Sequence, residues 1–368
     1  MVLTRRAAQK GAAFVGGSAL ARAGHGRAES LAKSGVKRSA NARGLVQGHR
    51  RKIQVVAGVE VVKAGELQDA VDAVEKKAVP VAGRWRIFSG ELEPAVFVQR
   101  PSARNRSPYV ADVRLESGRI AIAHVPCLEL GGKCVPGARV LVAPMLDKKN
   151  NRVGADAVSN KFGTPKCEFS VKFVYYTDDV NAAAGGTLVG ADPQFGEKVA
   201  RLVVEETTLF GSDIVEIQTQ VPDIMGPGTR CDFVLTHKDN SRTVLETKMV
   251  VDADNDPAGR CAVFPWGKRA QKGPDGEKVV SARAIHHVQC LTRLMERRKE
   301  SGSGVRAALM LAVVRDDTVR FRPDAEKCPS FAKYLTAGVQ AGVDVRAFAV
   351  RCHEDGTVTA LGEIPLQV

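Results

Sequence analysis

The stretch GTRCDFVLTHKDNSRTVLETKMV, residues 228–250, contains two strand-like runs separated by the turn sequence KDNS. Asp and Asn favour tight turns, so the pattern predicts a β-hairpin. Side chains along a strand point alternately to opposite faces, so Glu246 and Lys248 share a face while Thr247 points away. A register that pairs Asp232 with Glu246 puts all three charged side chains on that face, with paired Cβ atoms about 5 Å apart.

Two carboxylates at that distance repel each other unless a cation lies between them. Asp232 and Glu246 are therefore candidate ligands for Mg²⁺ or Mn²⁺, which prefer oxygen donors. A metal there polarises a phosphoryl oxygen and lowers the pKa of a bound water. Lys248 would orient that water or stabilise charge on the phosphate. From spacing alone, the alternative is a solvated hairpin with alternating charges.

Before the hairpin, five short runs rich in β-branched residues are separated by Gly, Pro, Ser and Asn. These runs are WRIF, AVFV, YVADVRL, RIAIAHV and ARVLVAP. So many short strands in so little chain predict a small β-barrel of the oligonucleotide-binding (OB) type, which we assign to residues 85–146.

A second domain is predicted over residues 147–368. Amphipathic patterns in ARAIHHVQCLTRLMERRKE and SFAKYLTAGVQAG predict helices, and the apolar runs AALMLAVVR and DVRAFAVRC predict strands. Helices that alternate with strands in this way are typical of an α/β layer with parallel strands. The expected fold class is therefore α/β (α+β overall), with a β-barrel before the α/β domain.

The net charge of +13 is concentrated at the N-terminus. Residues 1–52 contain twelve Lys or Arg and one acid, whereas the rest of the chain carries only +2. The overall charge therefore says little about nucleic-acid binding by the folded part.

The segment 1–52 is rich in Ala, Ser, Gly and Arg, a composition that cannot bury a core and is typical of organellar transit peptides. We therefore expect a mitochondrial or plastid location, with the cytoplasm as the alternative. Two other interpretations are a disordered arm that touches nucleic acid and a twin-arginine export signal at Arg5 and Arg6. Residues 53–84 are an unassigned lead-in.

The eight cysteines are scattered and form no CxxC pair, which argues against a zinc ribbon and favours reduced, mostly buried thiols. His286, His287 and Cys290 invite a zinc interpretation, but they lack a second ligand arm. No run of about 18 apolar residues is present, so no membrane span is expected.

Several motifs recur in the order found in the sugar fermentation stimulation protein family. GTRCDFVL and VLETK resemble the family's S-R-x-D-F-L-L and E-V-K signatures, and ARAIHHVQCL resembles its R-G-x-K-H-L helix. EPAVFVQRPSARNRSPYVADV resembles its opening strands, and AVVRDDTVRFRPD, SFAKYL and AGVDVRAFAV resemble its closing segments. The resemblance runs from about residue 92 to residue 351.

This resemblance implies an OB-like barrel followed by a restriction-endonuclease-like domain of the PD-(D/E)xK type. It also implies association with DNA and a regulatory link to sugar metabolism. In such folds an acid on a preceding helix joins the D…ExK residues. Glu205, in RLVVEE, best resembles that acid, and Glu206 is its rival.

Nucleic-acid contacts are expected on two surfaces. Arg100, Arg104 and Arg106 are candidates for gripping phosphates, with Tyr109 as a stacking face; the alternative is a solvated loop. Around the acids, the candidates from the family motifs are Arg230, Arg283 and His287.

The chain departs from the family pattern at several ligand-facing positions. The H-C-P-N-T-G motif is replaced by HVPCLE, residues 124–129, and the acid of F-P-D is replaced by Trp266. The retained Asp232, Glu246 and Lys248 favour a metal-dependent nuclease. The altered motifs favour a non-catalytic nucleic-acid-binding or regulatory protein.

Overall fold

The computed structural model describes residues 83–368, except residues 128, 129, 160, 162 and 258. The predicted basic segment 1–52 and all but the end of the lead-in 53–84 lie outside the described residues. Within the described part, no helix is long and apolar enough to cross a membrane.

Seven strands form the first part of the fold. They are β1 (Arg84–Arg86), β2 (Glu93–Gln99), β3 (Val110–Leu115), β4 (Ile120–His124), β5 (Arg139–Pro144), β6 (Phe169–Tyr176) and β7 (Thr187–Gly190). Short 3₁₀ turns lie at Leu130–Gly132 and Ala182–Ala184.

Strands β2 to β6 form a closed barrel. Neighbouring strands follow the order β4-β3-β2-β5-β6, and a parallel pairing of β4 with β6, Ala123 opposite Phe169, closes the circle. Alternate residues of these strands, such as Phe97, Val113 and Val171, are fully or almost fully buried in the barrel core. The predicted small OB-like barrel is therefore confirmed.

The strands of this barrel differ from the predicted set in two respects. The WRIF run is not a barrel strand: Trp85 is buried and stacks on Phe348 with ring centroids 6.1 Å apart, so β1 pairs with β18 of the other sheet. The fifth barrel strand is instead β6, whose Val171 and Val174 fill the same core. The barrel sheet, with β7 at its edge, thus extends to residue 190 rather than ending at residue 146.

The second part of the fold begins with the helix α1 (Gln194–Glu206). The next elements are β8 (Ile214–Pro222), β9 (Arg230–His237), β10 (Arg242–Val250), β11 (Asp252–Ala253), β12 (Cys261–Phe264), β13 (Gln271–Lys272), β14 (Lys278–Val279) and α2 (Ala282–Ser301). The last are β15 (Val305–Val313), β16 (Arg320–Pro323), α3 (Pro329–Ala341), β17 (Asp344–Cys352) and β18 (Thr357–Ile364).

A seven-stranded sheet is the centre of this part, in the order β1-β18-β17-β15-β10-β9-β8. β15 runs parallel to both β10 and β17, as the helix–strand alternation predicted. Leu245 of β10 packs with α1 on one face of the sheet, and Val244 packs with α2 and α3 on the other. Helices on both faces of a mixed sheet, whose central strands β10, β15 and β17 are parallel, confirm the α/β class.

Buried charges join the barrel to the second part of the fold, where β11, β12 and β16 form a separate small sheet. The side chain of Lys133, from the loop after β4, is fully buried, and its Nζ lies 2.8 Å from Asp252 Oδ1. Arg315, also fully buried, donates to both carboxylate oxygens of Asp317 at 2.6 and 2.7 Å. The two cations lie 4.6 and 5.6 Å from the ring centre of Tyr176. Burial lowers the pKa of Lys133, although Asp252 opposes the shift.

Candidate active site

The hairpin of β9 and β10 has the register that the sequence predicted. Leu245 is paired with Phe233, so the next position along sets Glu246 opposite Asp232. Asp232 is held there because its Oδ2 accepts a hydrogen bond from the Thr247 backbone N–H at 2.8 Å. The period of two along a strand has therefore brought the two acids together.

Glu246 is the most buried acid of the site, with 2% of its side chain exposed. Its Oε1 accepts a hydrogen bond from Lys248 Nζ at 2.5 Å and another from His287 Nδ1. Its Oε2 is buried and has no hydrogen-bond partner among the described residues. A buried carboxylate oxygen without a donor costs free energy, unless a cation binds it.

His287 is presented to Glu246 by the helix α2. The hydroxyl of Ser281 caps this helix by accepting a hydrogen bond from the Ala284 backbone N–H. Arg283 Nε donates to His287 Nε2 at 3.4 Å, so Nε2 is the acceptor and Nδ1 carries the proton donated to Glu246. His287 is therefore a hydrogen-bond donor that orients the carboxylate.

A third acid at the site is Glu197, in the first turn of α1. Gln220 links it to Asp232, because Gln220 Nε2 lies 3.2 Å from Glu197 Oε2 and 3.3 Å from Asp232 Oδ1. Gln220 has a φ of 53°, in the left-handed region that residues other than glycine seldom adopt. Backbone in such regions clusters at functional sites.

Glu205, the acid expected on this helix, lies two turns further along. It pairs with Arg201 at 2.7 Å on the exposed side of α1. Glu197 occupies the expected place because Gly196 lets the helix approach β10. A Cβ at Gly196 would lie 2.9 Å from Met249 Cβ and 3.3 Å from its backbone.

These side chains line a cavity of about 320 Å³. Its wall includes Cys127, Glu197, Asp232, Glu246, Lys248 and Arg283. The start of α1 also borders it through Pro193, so partial positive charge from the helix dipole faces the cavity. The cavity thus combines three acids with two cations beside a helix N-terminus.

The pKa values of Asp232 and Glu246 shift in opposite directions. Burial, together with the neighbouring Glu246 charge, raises the pKa of Asp232 to about 6. Burial also opposes ionisation of Glu246, but the hydrogen bond from His287 and the charge of Lys248 outweigh it and lower the pKa of Glu246. Near neutral pH, both carboxylates are therefore mainly ionised and face each other in a partly dry cavity.

The donor set fits a hard divalent cation at its centre. Among the described residues, no group of three His, Cys, Asp or Glu side chains closes around a common point. Asp232 and Glu246 nevertheless offer two carboxylates, and the buried Glu246 Oε2 accepts no hydrogen bond from the residues that the structure describes. Glu197 is joined to this pair through Gln220.

The predicted nucleic-acid residues fall in different places. Arg104 Nη2 donates to the Ala155 carbonyl at 2.7 Å, and Arg100 donates to the Cys127 carbonyl at 3.3 Å. Arg106 is exposed, and so is the ring of Tyr109. Cys127 lines the cavity of the acids, so Arg100 lies beside that cavity without being part of its wall.

The candidates close to the acids also differ from one another. Arg283 lines the cavity, and His287 is buried against Glu246. Arg230 is exposed at the start of β9. Zinc binding by His286 and Cys290 gains no support: Nε2 and Sγ lie 3.5 Å apart in a hydrogen bond, and no third ligand joins them in the described chain.

Sequence reasoning missed Glu197 and Gln220. The signal for Glu197 is Gly196, because a glycine inside a helical pattern indicates close packing against a neighbouring backbone. No local pattern marks Gln220, which reaches the acids through its left-handed backbone.

Comparisons with known proteins agree with the motifs. Residues 194–356 match the model of the sugar fermentation stimulation protein RE domain. A sugar fermentation stimulation protein homolog of Symbiobacterium thermophilum is 29% identical over 280 residues, covering 74% of this chain and 94% of that protein. A homolog of Syntrophotalea carbinolica is 25% identical over 261 residues, covering 70% and 91%.

A solved structure has the same fold. SfsA of Pyrococcus furiosus in complex with Ca²⁺ superposes with a TM-score of 0.56 at 17% identity, covering 77% of this chain and 99% of that one. The matched domain and the relatives, which cover most of the chain, agree with the motifs quoted above. Residues 194–356 belong to the RE domain family of the sugar fermentation stimulation proteins, and the chain as a whole is similar to members of that family.

Proposed function

We propose that this protein is a metal-dependent phosphodiesterase that acts on nucleic acid, with DNA as the expected partner. The observation that carries the proposal is the buried Glu246 Oε2, which lacks a donor and belongs to a carboxylate paired with Asp232. Such an oxygen is stabilised by a cation, and a pair of carboxylates is a common way to hold one.

Asp232 and Glu246 would hold Mg²⁺ or Mn²⁺. The archaeal family member was solved with Ca²⁺, another divalent cation that prefers oxygen ligands, which supports this class of metal. A bound metal would polarise a phosphoryl oxygen and lower the pKa of its water. Glu197 would support the site through Gln220, and Glu205 is too far along α1 to share this role.

Lys248 and His287 set the charge and the geometry around the two carboxylates. Lys248 Nζ lies 2.5 Å from Glu246 Oε1, so its charge sits where a phosphate would approach the acids. There it would stabilise charge that develops on the phosphate or orient the attacking water. His287 positions Glu246 by donating to Oε1, which keeps Oε2 directed to the cation.

The proposal is tested by metal binding and cleavage measured on the same protein. Unfolding after EDTA treatment is compared with unfolding in Mg²⁺ or Mn²⁺. A metal at 100 times its Kd stabilises the folded state by about 2.7 kcal/mol. We expect Asp232→Asn and Glu246→Gln to abolish the stabilisation and the cleavage of end-labelled DNA.

The control is Glu205→Gln, which removes a carboxylate from the same fold outside the cavity. It should keep both metal binding and cleavage. Metal binding without any cleavage would indicate a nucleic-acid-binding or regulatory protein on a nuclease scaffold. The absence of both would contradict the proposed function.

A further inference from the structure

A second and larger cavity adjoins the first on the α1 side of the sheet. Its volume is about 630 Å³, and it shares Glu197 and Asp232 with the first cavity. The remaining wall comes from β1 and the loop after it, α1, and β8 and β9. We call it the α1 groove; its main lining residues are Arg86, Phe88, Lys198, Arg201, Thr219 and Gln220.

Two cations in the α1 groove lack a carboxylate partner. Arg86 donates only to the backbone carbonyls of Phe88 and Asp355, at 3.4 and 3.1 Å. Lys198 Nζ donates to the carbonyl of Ile87 at 2.8 Å. In the described part of the chain, neither side chain has an Asp or Glu within ion-pair distance, whereas many other exposed cations do.

The positions of these cations indicate that the groove binds an anion. Backbone carbonyls accept their hydrogen bonds without neutralising their charges, and for Lys198 the charge of Asp192 and the ring of Phe195, whose centre lies 5.7 Å from Nζ, offset part of it. Arg201 adds a third charge: its Nε is bonded to Glu205, and its side chain remains 45% exposed. Three cations beside a proposed phosphate-cleaving site are the arrangement expected where a phosphate chain enters.

The groove also has an apolar side. Phe88 and Leu202 line it, and Phe88 is only partly buried. Single-stranded nucleic acids bind where a cationic groove follows the phosphates and an aromatic ring meets the bases. Thr219 adds a hydroxyl that suits sugar and phosphate oxygens.

We propose that the α1 groove binds a single strand of nucleic acid, with Arg86 and Lys198 on successive phosphates and Phe88 against a base. The strand would continue from the phosphate held beside Asp232. This inference rests on the proposed function, because that function supplies the nucleic-acid substrate. It adds that the strand leaves the acids along α1.

The test measures binding without metal, so that it is independent of cleavage. Fluorescence anisotropy in EDTA compares a labelled single-stranded DNA with a duplex of equal length. The double variant Arg86→Met with Lys198→Met should weaken single-strand binding about tenfold or more at low salt. The salt slope should fall by about 0.7 for each lost phosphate contact.

A matched control removes equal charge elsewhere. Arg242→Met with Lys299→Met alters two exposed cations, at the start of β10 and the end of α2. The affinity for single-stranded DNA should then change less than about twofold, because salt screens charges that lie far from the groove. Circular dichroism and unfolding of both double variants establish that the folds are equally intact.

Two outcomes overturn the inference. Equal affinities of the groove and control variants would show that the groove does not hold the strand. An equal loss for single strand and duplex would rule out a single-strand site. Failure of the proposed function is separate, since it is measured by metal-dependent stability and cleavage in the protein with Arg86 and Lys198 intact.

Discussion

His287 Nδ1 donates a hydrogen bond to Glu246 Oε1, while the opposite ring nitrogen accepts one from Arg283 Nε. The arginine therefore fixes which nitrogen carries the proton, and the histidine fixes which carboxylate oxygen is left for a cation. A histidine that orients a carboxylate in this way acts on metal binding without touching the metal.

Replacing His287 with Ala should weaken divalent metal binding about tenfold or more, because partners behind a metal ligand commonly have effects of that size. Losing the donor should also raise the pKa of Glu246, so metal affinity should decline at a higher pH than in the parent. Calorimetric titration with Mn²⁺ across pH 5 to 8 measures both effects.

The neighbouring His286→Ala is the control for this variant. His286 is exposed on the same helix and contacts Cys290 rather than an acid. Equal losses in the two histidine variants would mean that helix stability, and not the orientation of Glu246, explains the result.

Asp232 gives the metal-free protein a specific pH dependence. Its pKa is raised from 3.8 to about 6, so between these values the folded state binds more protons than the unfolded state. Through Asp232, the free energy of unfolding should therefore decrease as pH rises from about 4 to about 6, by at most about 3 kcal/mol. Asp232→Asn should remove this contribution. Urea unfolding of the parent and the variant in EDTA at several pH values is the measurement, and the same pH dependence in both proteins would contradict the raised pKa.

Neutralising Glu197 and neutralising Glu205, both in α1, should have different effects on metal binding. Glu197→Gln is expected to weaken metal binding several-fold, because Glu197 reaches Asp232 through Gln220. Glu205→Gln should leave binding unchanged and lose only an exposed pair with Arg201, worth about 0.5 kcal/mol. The measurement is the rise in melting temperature that Mg²⁺ causes in each variant. A smaller rise in Glu205→Gln than in Glu197→Gln would identify Glu205 as the functional acid.

The variant Lys248→Met should distinguish metal binding from cleavage. Metal binding should persist, because the carboxylates remain, whereas cleavage should fall about 100-fold or more through loss of charge stabilisation. Single-turnover cleavage at saturating Mn²⁺ measures the chemical step. If Lys248→Met cleaves at the parental rate, Lys248 takes no part in the chemical step.

Gly196 is expected to tolerate no larger residue. Gly196→Ala places a methyl group 2.9 Å from Met249 Cβ, which forces α1 away from β10 and displaces Glu197. Overpacking of this kind costs about 1–3 kcal/mol. Gly154→Ala is the control, because a Cβ there meets nothing within 4 Å and φ is not positive. Equal melting temperatures of the two variants would contradict the close approach.

The strand period was enough to predict how Asp232 and Glu246 meet. A side-chain period of two and one turn fix that geometry locally, so the sequence contains all that is needed. The OB-like barrel followed in the same way from short β-branched runs. The assignment of WRIF to it was wrong, because only the buried stacking of Trp85 on Phe348 decides which sheet takes β1.

The helical acid was harder to identify. Glu197 and Glu205 lie on one helix, and which of them meets the hairpin depends on how α1 crosses β10, a tertiary property. Likewise, no composition shows that Arg100 and Arg104 donate to backbone carbonyls. Arg86 and Lys198 also donate to backbone carbonyls, and the groove that they share is formed by elements far apart in the sequence.

The burial of Lys133 bears on how the chain can be divided. Its ammonium group is paired inside the protein with Asp252 of β11, in the small sheet of the second part of the fold. A barrel produced alone would therefore bury a cation without its carboxylate, and the second part produced alone would expose that carboxylate. A chimera that takes the two parts from different relatives would have to keep or replace both members of this pair together.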